Sequence, residues 1–587
     1  MMKKPIPYAL IAILVLAAVL RVSWIARGDT MNDEVFYGFR AIGPMDFDEA
    51  TDQTTPWEWF DPRQNSSMEN LGGQAGIPWW AHWSFHDHPP LVFWIQHFSI
   101  GLFGENNFAL RFPSALFGVA SVYLLCCLGR RLYSERVGLL TALILAVTLN
   151  HNYISRLGMQ ESYVIFFLFL GLYFFTRALQ DDRYWLGVGA ALGLGFLAKY
   201  NVLILAPILF TYLLLFRRDY FRKKNVWLGI VLALSLASPV IIYNAMLYRA
   251  TGHFDFQLSY IVGQNPDVWK VAPGKEIGTL GERIANFIPR MIATNSWIFL
   301  ALIVASLAGF LSRVLRNVRI SPRTPLWESQ KGVLGELFRR HAVLLISIVW
   351  LLALLAKIGP SYRFLTMLAP LLALIVALGI DACVPFFAER RRMGFAFAAL
   401  LVGFELFYTV NNLIAYYPAG PAPWLSSKVR YENYNWGYNA LGAYFKKELN
   451  GKMPALTFDV KYTFLDAMQN RFLQKARERA ARPYPALIVT YGNFDRGAKL
   501  WVLDRLHMYH GWPVITLDTY VQYLRENGPD YYDRVGFKTQ YFVFHTAIVP
   551  TPEFQALIRD LPYESIRNPR GEEVFRIYKR SATFDSN

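Results

Sequence analysis

The sequence LIAILVLAAVLRVSWI occupies residues 10–25, and the acidic stretch DTMNDEVFY follows it at residues 29–37. A mostly apolar run of this kind is typical of a helix that enters a membrane. Asp33 and Glu34 then lie at the far end of that helix, where partly desolvated carboxylates are costly to keep. We therefore predict that Asp33 belongs to a catalytic site on the outer face of the membrane.

The composition of the chain agrees with a membrane location. Its 587 residues are 54% hydrophobic and only 17% charged, whereas soluble chains carry about 25% charged residues. Lys3 and Lys4 precede the first apolar run and no small-residue cleavage site follows it, which favours a retained helix over a removed signal peptide. We expect a polytopic α-helical membrane protein with a sizeable soluble part.

Apolar segments long enough to cross a bilayer recur over roughly the first 415 residues. We expect about eleven transmembrane helices, over residues 7–26, 91–128, 137–154, 162–179, 184–198, 200–216, 226–247, 287–311, 341–357, 363–381 and 394–415. The sequence GENN at residues 104–107 interrupts the second segment, so we expect a short re-entrant piece there, followed by a span.

Positive charge is concentrated in alternate connections along this path. Lysine and arginine cluster around residues 3–4, 130–136, 217–224, 313–340 and 390–392. The positive-inside rule assigns these clusters to the cytoplasm, and it leaves the following segments outside: 27–90, 150–161, 248–286 and everything after about 416. Much of the net charge of +16 is then explained by membrane orientation, and we expect no nucleic-acid partner.

The first outer loop, residues 27–90, ends in the motif HDHPP at residues 86–90. Imidazole and carboxylate groups are suitable ligands for a divalent metal, so His86, Asp87 and His88 are candidate metal ligands. In the alternative interpretation, these side chains hydrogen-bond a phosphate or the start of the next helix, which the two prolines open. The sequence requires no cofactor, and both interpretations stay open.

The predicted outer side also carries basic residues and a further acid. Arg156 and Glu161 lie in the short segment 150–161, Lys199 ends the hinge sequence GLGFLAK, and Arg363 precedes a later span. Lys199 and Arg363 each either snorkel along the apolar surface or contact a phosphate at the membrane edge. Glu161 is either a cap favoured by the helix dipole or a second carboxylate of the site.

The order of these motifs resembles that of the GT-C-type glycosyltransferases that use polyprenyl-phosphate sugars, in particular the branch with protein O-mannosyltransferases and lipid A aminoarabinose transferases. The motifs are Asp33-Glu34 with Tyr37, His88-Pro89-Pro90-Leu91, ALRFPS at residues 109–114, Arg156-Leu157, GFLAK at 195–199, YN at 243–244, FDFQ at 254–257 and YRFL at 362–365. The resemblance covers roughly residues 1–415, which we expect to form a transmembrane glycosyltransferase domain.

The resemblance implies a reaction and a set of roles. A sugar would move from a polyprenyl-phosphate-linked donor to a lipid, glycan or protein acceptor outside the cytoplasm, by inverting displacement. Asp33 matches the acceptor-side carboxylate, with Glu34 and Glu161 as further catalytic candidates; relatives usually have aspartate where Glu161 stands. The donor phosphate would be held by basic side chains: Lys199, Arg363, His88 and Arg156. The resemblance further implies a multi-pass protein of a prokaryotic inner membrane, among whose partners are membrane lipids.

A transporter or flippase that moves polyprenyl-linked glycans without chemistry is the alternative function. Many spans and scattered cations suit that class, but inverted repeats and charges at mid-span are its more usual features. A scaffold for an envelope complex is a third class. Convergence of Asp33, Glu161, Lys199 and Arg363 on one outward cavity would favour the enzyme over both.

The last segment, residues 416–587, has no apolar run long enough to span a membrane and is more polar. We expect it to be a soluble extracytoplasmic α/β domain, large enough for a core of its own. Its predicted strands are 455–460, 486–491 and 541–544, and its predicted helices are 438–448, 462–481 and 551–559.

Overall fold

The computed structural model describes residues 8–42, 79–264, 278–319, 326–384, 391–415, 417–430, 435–449, 486–492, 494–510, 512–568 and 570–581. These residues form two compact units. The first unit contains the described residues up to Ile25 and from 79 to 430, and the second contains residues 26–42 and those from 435 onward. The start of the predicted first outer loop therefore belongs to the same unit as the C-terminal segment.

The described part of the first unit consists mainly of helices. In chain order they are α1 (Tyr8–Val22), then, after α2 (Asn32–Ile42) of the second unit, α3 (Leu91–Phe103), α4 (Asn107–Leu132), α5 (Glu135–Val147), α6 (Leu149–Ser155), α7 (Glu161–Ala178), α8 (Trp185–Ala198), α9 (Leu205–Phe216), α10 (Lys224–Thr251), α11 (Phe256–Val262), α12 (Leu280–Thr294), α13 (Trp297–Arg319), α14 (Leu326–Ile358), α15 (Ala369–Cys383) and α16 (Arg391–Leu413). Single 3-10 turns at Tyr200–Ile204 and Phe364–Leu368 lead into α9 and α15.

Six stretches of the described chain are long and apolar enough to cross a membrane, and the bent pair α5–α6 raises the number to seven. The six are Asn107–Leu132, Glu161–Ala178, Lys224–Thr251, Arg339–Ile358, Phe364–Cys383 and Ala396–Leu413. Shorter apolar helices occur at Tyr8–Val22, Leu91–Phe103, Tyr200–Phe216 and Trp297–Ser312. The chain is therefore a multi-pass membrane protein. Its described residues contain six or seven full-length spans, and the predicted number of eleven is not confirmed.

Local capping explains where two of the predicted spans break. The predicted break at residues 104–107 is observed, because Gly104 takes a positive φ of 80° after α3 and Asn106 accepts a hydrogen bond from the Ala109 amide at the start of α4. The prediction of one span over 287–311 is wrong. The Asn295 side chain bonds the Met291 carbonyl at the end of α12, and the Ser296 hydroxyl caps α13 by accepting from the Phe299 amide.

Glycines bring α8 close to α10 and so position the end of α8. A Cβ placed on Gly189 would lie 2.0 Å from the Gly229 carbonyl oxygen, and one on Gly193 would lie 2.7 Å from the Ala233 carbonyl oxygen. Small residues at such a crossing allow two backbones to pack directly, which is a common mode of helix association in membranes. Lys199, directly after α8, is therefore attached to a rigid helix pair.

The second unit contains a mixed sheet of five strands. Its elements are α17 (Tyr438–Leu449), β1 (Ala486–Tyr491), α18 (Arg496–Lys499), α19 (Arg505–His510), β2 (Val514–Thr516), α20 (Leu517–Asn527), α21 (Tyr531–Val535), β3 (Thr539–His545), α22 (Pro552–Ile558), β4 (Tyr563–Arg567) and β5 (Glu573–Ser581). The strand order is β2-β1-β3-β5-β4, in which β1 pairs parallel with β2 and β3, and β5 pairs antiparallel with β3 and β4. Apolar residues such as Leu487, Val489 and Phe542 form its core with Tyr520 and Tyr532.

The strands predicted at 486–491 and 541–544 and the helices predicted at 438–448 and 551–559 are observed, the latter as α17 and α22. The predicted strand 455–460 and helix 462–481 lie outside the described residues, as does most of the first outer loop, 43–78.

Helix α2 is part of this second unit. The buried Asp29 carboxylate accepts hydrogen bonds from the backbone amides of Trp436 at 2.7 Å and Asn439 at 2.8 Å. A Cβ on Gly38 would lie 2.5 Å from the ring of Trp501, so only glycine allows α2 to pack this closely against that tryptophan. Asp29 and Gly38 therefore fix this stretch of chain on the fold of the second unit.

Candidate functional site

Three predicted site residues of the first unit meet at one carboxylate oxygen. Glu161 begins α7, Lys199 follows α8, and Arg363 precedes the turn Phe364–Leu368. The Lys199 ammonium donates to Oε1 of Glu161 at 2.7 Å, and Nε of Arg363 lies 3.9 Å from the same oxygen. Arg363 is thus brought to Glu161 and Lys199, from which it is separated by more than 150 positions in the sequence.

This ion cluster is buried on one side and open on the other. The side chain of Glu161 is 0% exposed and that of Lys199 4%, whereas that of Arg363 is 33% exposed. The ring of Phe364 covers both cations, with its centroid 5.3 Å from Nζ of Lys199 and 5.0 Å from Cζ of Arg363. Two cations on one carboxylate leave a net positive charge, which suits a further anion such as a phosphate.

The HDHPP segment lies in the same unit, immediately before α3. Nδ1 of His88 is 2.9 Å from Oδ2 of Asp87, and the carbonyl of the buried His86 accepts from the Phe256 amide at 2.8 Å. Within the described ranges, no three or more His, Cys, Asp or Glu side chains are grouped in a metal-binding arrangement. In that part of the chain, His86, Asp87 and His88 therefore do not assemble a metal site.

Asp255 precedes Phe256, whose amide bonds the HDHPP segment, and it contacts Tyr200, the residue after Lys199. It caps α11 by accepting from the Leu258 amide at 2.8 Å, and it also accepts from the Asn244 side chain at 2.8 Å and from the Tyr200 hydroxyl. Burial raises the pKa of Asp255 and the nearby Asp87 adds to this effect, while these hydrogen bonds lower it, so that the resulting pKa is about 6. The motif FDFQ marked this residue, but no sequence pattern indicated its hydrogen-bond partners.

Arg156 lies at the end of α6 and is buried. Its guanidinium donates to the Leu20 carbonyl at 2.7 Å and to the Arg21 carbonyl at 3.4 Å, which ties α6 to the end of α1. Its place among the phosphate-binding residues stays a prediction.

Asp33 and Glu34 lie in the second unit, in the first turn of α2. The buried Glu34 carboxylate accepts from the Met31 amide at 3.0 Å, so it caps its own helix. Asp33 is half-buried on the same turn. The structure thus distinguishes the two acids, since Glu34 has a local structural partner at the helix start. Their catalytic roles stay predictions.

The match to a sequence family lies within the first unit. Residues 87–243 match the sequence family described as dolichyl-phosphate-mannose-protein mannosyltransferase. This region contains His88, Arg156, Glu161 and Lys199, whereas Asp33 and Arg363 lie outside it.

Two relatives illustrate the match. A putative mannosyltransferase YycA of Bacillus subtilis is 31% identical over 27% of this chain and 24% of its own length. An undecaprenyl phosphate-alpha-4-amino-4-deoxy-L-arabinose arabinosyl transferase 2 of Sodalis glossinidius is 28% identical over 23% of this chain and 26% of its own length. The chain spans about half or less of the length of the curated relatives it matches.

Similarity of the fold extends over the whole chain. The crystal structure of ArnT from Cupriavidus metallidurans, bound to undecaprenyl phosphate, aligns with a TM-score of 0.51 at 15% identity and covers 97% of both chains. The resemblance predicted from the sequence is therefore confirmed: the chain has the fold of the GT-C-type glycosyltransferases, and its residues 87–243 match the dolichyl-phosphate-mannose-protein mannosyltransferase family.

Proposed function

We propose that this protein is an integral membrane glycosyltransferase that moves a sugar from a polyprenyl-phosphate-linked donor to a lipid, glycan or protein acceptor. The observation that carries the proposal is the contact of Lys199 and Arg363 with one buried carboxylate oxygen of Glu161. The family match, which contains Glu161 and Lys199, and the shared fold support it.

In the proposed reaction, an acceptor hydroxyl attacks the anomeric carbon of the sugar. The bond from the acceptor oxygen to that carbon forms while the bond from the carbon to the phosphate oxygen breaks, which inverts the configuration. The leaving group is polyprenyl phosphate, and the cations Lys199 and Arg363, with His88 and Arg156 as further candidates, stabilise its charge. A phosphate is already a good leaving group, so protonation of it contributes little.

The proton of the acceptor hydroxyl needs a base, and Asp33 is assigned that role. Glu161 holds two cations, so it serves to orient Lys199 and Arg363 and to limit their net charge. Glu34 supports the helix on which Asp33 lies, because its carboxylate caps that helix.

We place the site and the second unit on the extracytoplasmic side of a prokaryotic inner membrane. The basic segments at 130–136, 217–224 and 390–392 would face the cytoplasm under the positive-inside rule, in a path of about eleven crossings that includes the shorter apolar helices. Labelling of single cysteines introduced in segments 130–136 and 248–264 with an impermeant reagent tests this orientation. Labelling of the first segment but not the second in intact cells would contradict it.

The function itself is tested by incubating purified protein with labelled polyprenyl-phosphate sugars and membrane extract. We expect label to move into a lipid, glycan or protein fraction with wild-type protein and not with Asp33→Asn. Label that stays entirely on the polyprenyl phosphate with every donor supplied would contradict the proposal.

A further inference from the structure

The residue before Glu161 has an unusual environment. The side chain of Gln160 is completely buried at the start of α7, and neither its amide nitrogen nor its amide oxygen has a hydrogen-bond partner within the part of the chain that the structure describes. Buried side-chain amides are nearly always hydrogen-bonded in folded proteins. An amide with both ends unsatisfied therefore indicates a place where another polar molecule binds.

Glu161 presents a related feature at the same helix end. Its Oε1 accepts a hydrogen bond from Lys199 and forms an ion pair with Arg363. Its Oε2 is buried and has no hydrogen-bond partner among the described residues. Two consecutive residues therefore leave one NH2 donor and two oxygen acceptors unsatisfied. The missing ligand must both accept and donate hydrogen bonds.

We propose that Gln160 and Oε2 of Glu161 bind hydroxyl groups of the donor sugar, an inference that rests on the proposed function. A sugar hydroxyl donates one hydrogen bond and accepts others, so a pair of hydroxyls satisfies the amide and the carboxylate together. A phosphate only accepts, so it would be repelled by Oε2 and would leave the Gln160 oxygen unsatisfied. A metal cation would satisfy the oxygens and not the amide NH2.

In this arrangement, two neighbouring sets of groups bind the two parts of the donor, one set the phosphate and the other the sugar. Oε1 of Glu161 faces the cations that we assign to the phosphate, and the carboxylate carries the second oxygen, Oε2, for the sugar. Arg363 is partly exposed, so the cluster reaches solvent at that side chain. Gln160 would then be a specificity residue, because it would favour binding of the sugar-linked lipid over the bare lipid phosphate.

A second buried glutamine provides a matched control. Gln96 in α3 is also completely buried, but its amide donates to the Leu110 carbonyl at 3.2 Å and to the Gly158 carbonyl at 3.0 Å. Methionine is close in size to glutamine and lacks its polar atoms. Gln96→Met therefore removes two hydrogen bonds within the fold. Gln160→Met removes no side-chain hydrogen bond to any described residue.

The test measures binding of full-length protein to undecaprenyl phosphate and to undecaprenyl phosphate linked to mannose or to aminoarabinose. We expect wild-type protein to prefer at least one sugar-linked lipid. Gln160→Met should weaken binding of that lipid about tenfold, as expected from the loss of one or two hydrogen bonds, and leave binding of the bare lipid unchanged. Its melting temperature without lipid should not fall, whereas Gln96→Met should lower the melting temperature and keep the preference.

Each other outcome counts against a specific statement. A retained sugar preference in Gln160→Met, or a fall in its lipid-free melting temperature like that of Gln96→Met, would overturn the inference and leave the proposed function in place. Wild-type protein that binds none of these lipids would overturn the proposed function, and the inference with it.

Discussion

The ammonium of Lys199 lies 2.7 Å from Oε1 of Glu161, and both side chains are buried. Taking either charge out of water is costly unless the other is present to offset it. The pair thus explains why a lysine can stand at the end of an apolar helix, and it makes the two residues interdependent.

This interdependence predicts the effects on stability of removing one or both charges. Glu161→Gln leaves two cations near a buried neutral amide and should destabilise the protein by about 3–5 kcal/mol, the usual cost of breaking a buried pair. The double variant Glu161→Gln with Lys199→Met should lose less than the sum of the two single variants. Thermal unfolding in detergent measures the stability of the wild type, the two single variants and the double variant. Strictly additive losses of stability would contradict a direct pairing.

Lys199 is also expected to affect use of the donor. Lys199→Ala removes a charged contact to the donor phosphate and should lower kcat/KM for the polyprenyl-phosphate sugar about 10-fold to 100-fold. Lys499→Ala is a suitable control, since Lys499 pairs with Asp504 at 3.0 Å in the second unit. An unchanged dependence of rate on donor concentration in Lys199→Ala would rule out the assigned contact.

Two aspartates near the start of the second unit should behave differently. Asp33→Asn removes the proposed base and should slow transfer about 100-fold to 10,000-fold, the range of general-base effects, with little change in stability. Asp29→Ala removes the acceptor of the backbone amides of Trp436 and Asn439 and should lower the melting temperature. Transfer rates and melting curves separate the two effects, and normal transfer by Asp33→Asn would remove Asp33 from the mechanism.

Asp255 should make the stability of the first unit depend on pH. Burial raises its pKa from 3.8 to about 6, so the native protein binds the proton more tightly than the unfolded chain does. Its contribution to the free energy of unfolding, about 3 kcal/mol, is therefore fully present below about pH 3.8 and is lost as the pH rises through about 6. Melting temperatures of wild type and Asp255→Asn between pH 4 and pH 8 test this, and parallel curves would contradict it.

A matched variant isolates this effect. Asp219 is exposed and pairs with Arg217 at 3.0 Å, so Asp219→Asn changes a carboxylate without a buried partner. We expect the melting temperature of Asp219→Asn to change with pH around pH 6 as that of the wild type does. The melting temperature of Asp255→Asn should depend less on pH in this range.

Sequence reasoning identified Glu161, Lys199 and Arg363 because charge on the predicted outer side of an apolar chain is conspicuous. They were expected to converge because the helix ends that carry them were predicted to lie on the same side of the membrane. The environment of Gln160 could not be predicted in this way, because whether a buried amide finds a partner depends on the packing of distant segments. The break at Asn295 was missed because it contains neither glycine nor proline and depends on side-chain caps.

The second unit shows the same limit. Strand β1 begins with the apolar run ALIV and was predicted, whereas β4 is largely exposed and polar, so its sequence YESIR gives no strand signal. The inclusion of α2 in this unit depends on single contacts, such as that of Gly38 with Trp501, which no local pattern reveals.

The most direct test of the account follows both halves of the donor in one reaction. Purified protein in liposomes is given undecaprenyl phosphate linked to a labelled sugar, together with a membrane extract as acceptor, and released undecaprenyl phosphate is counted against sugar transferred. We predict one molecule of undecaprenyl phosphate released for each sugar transferred by wild-type protein, and formation of both products at least about 100-fold slower with Asp33→Asn. Movement of the intact sugar-linked lipid across the bilayer without its cleavage would contradict the account and indicate a transporter.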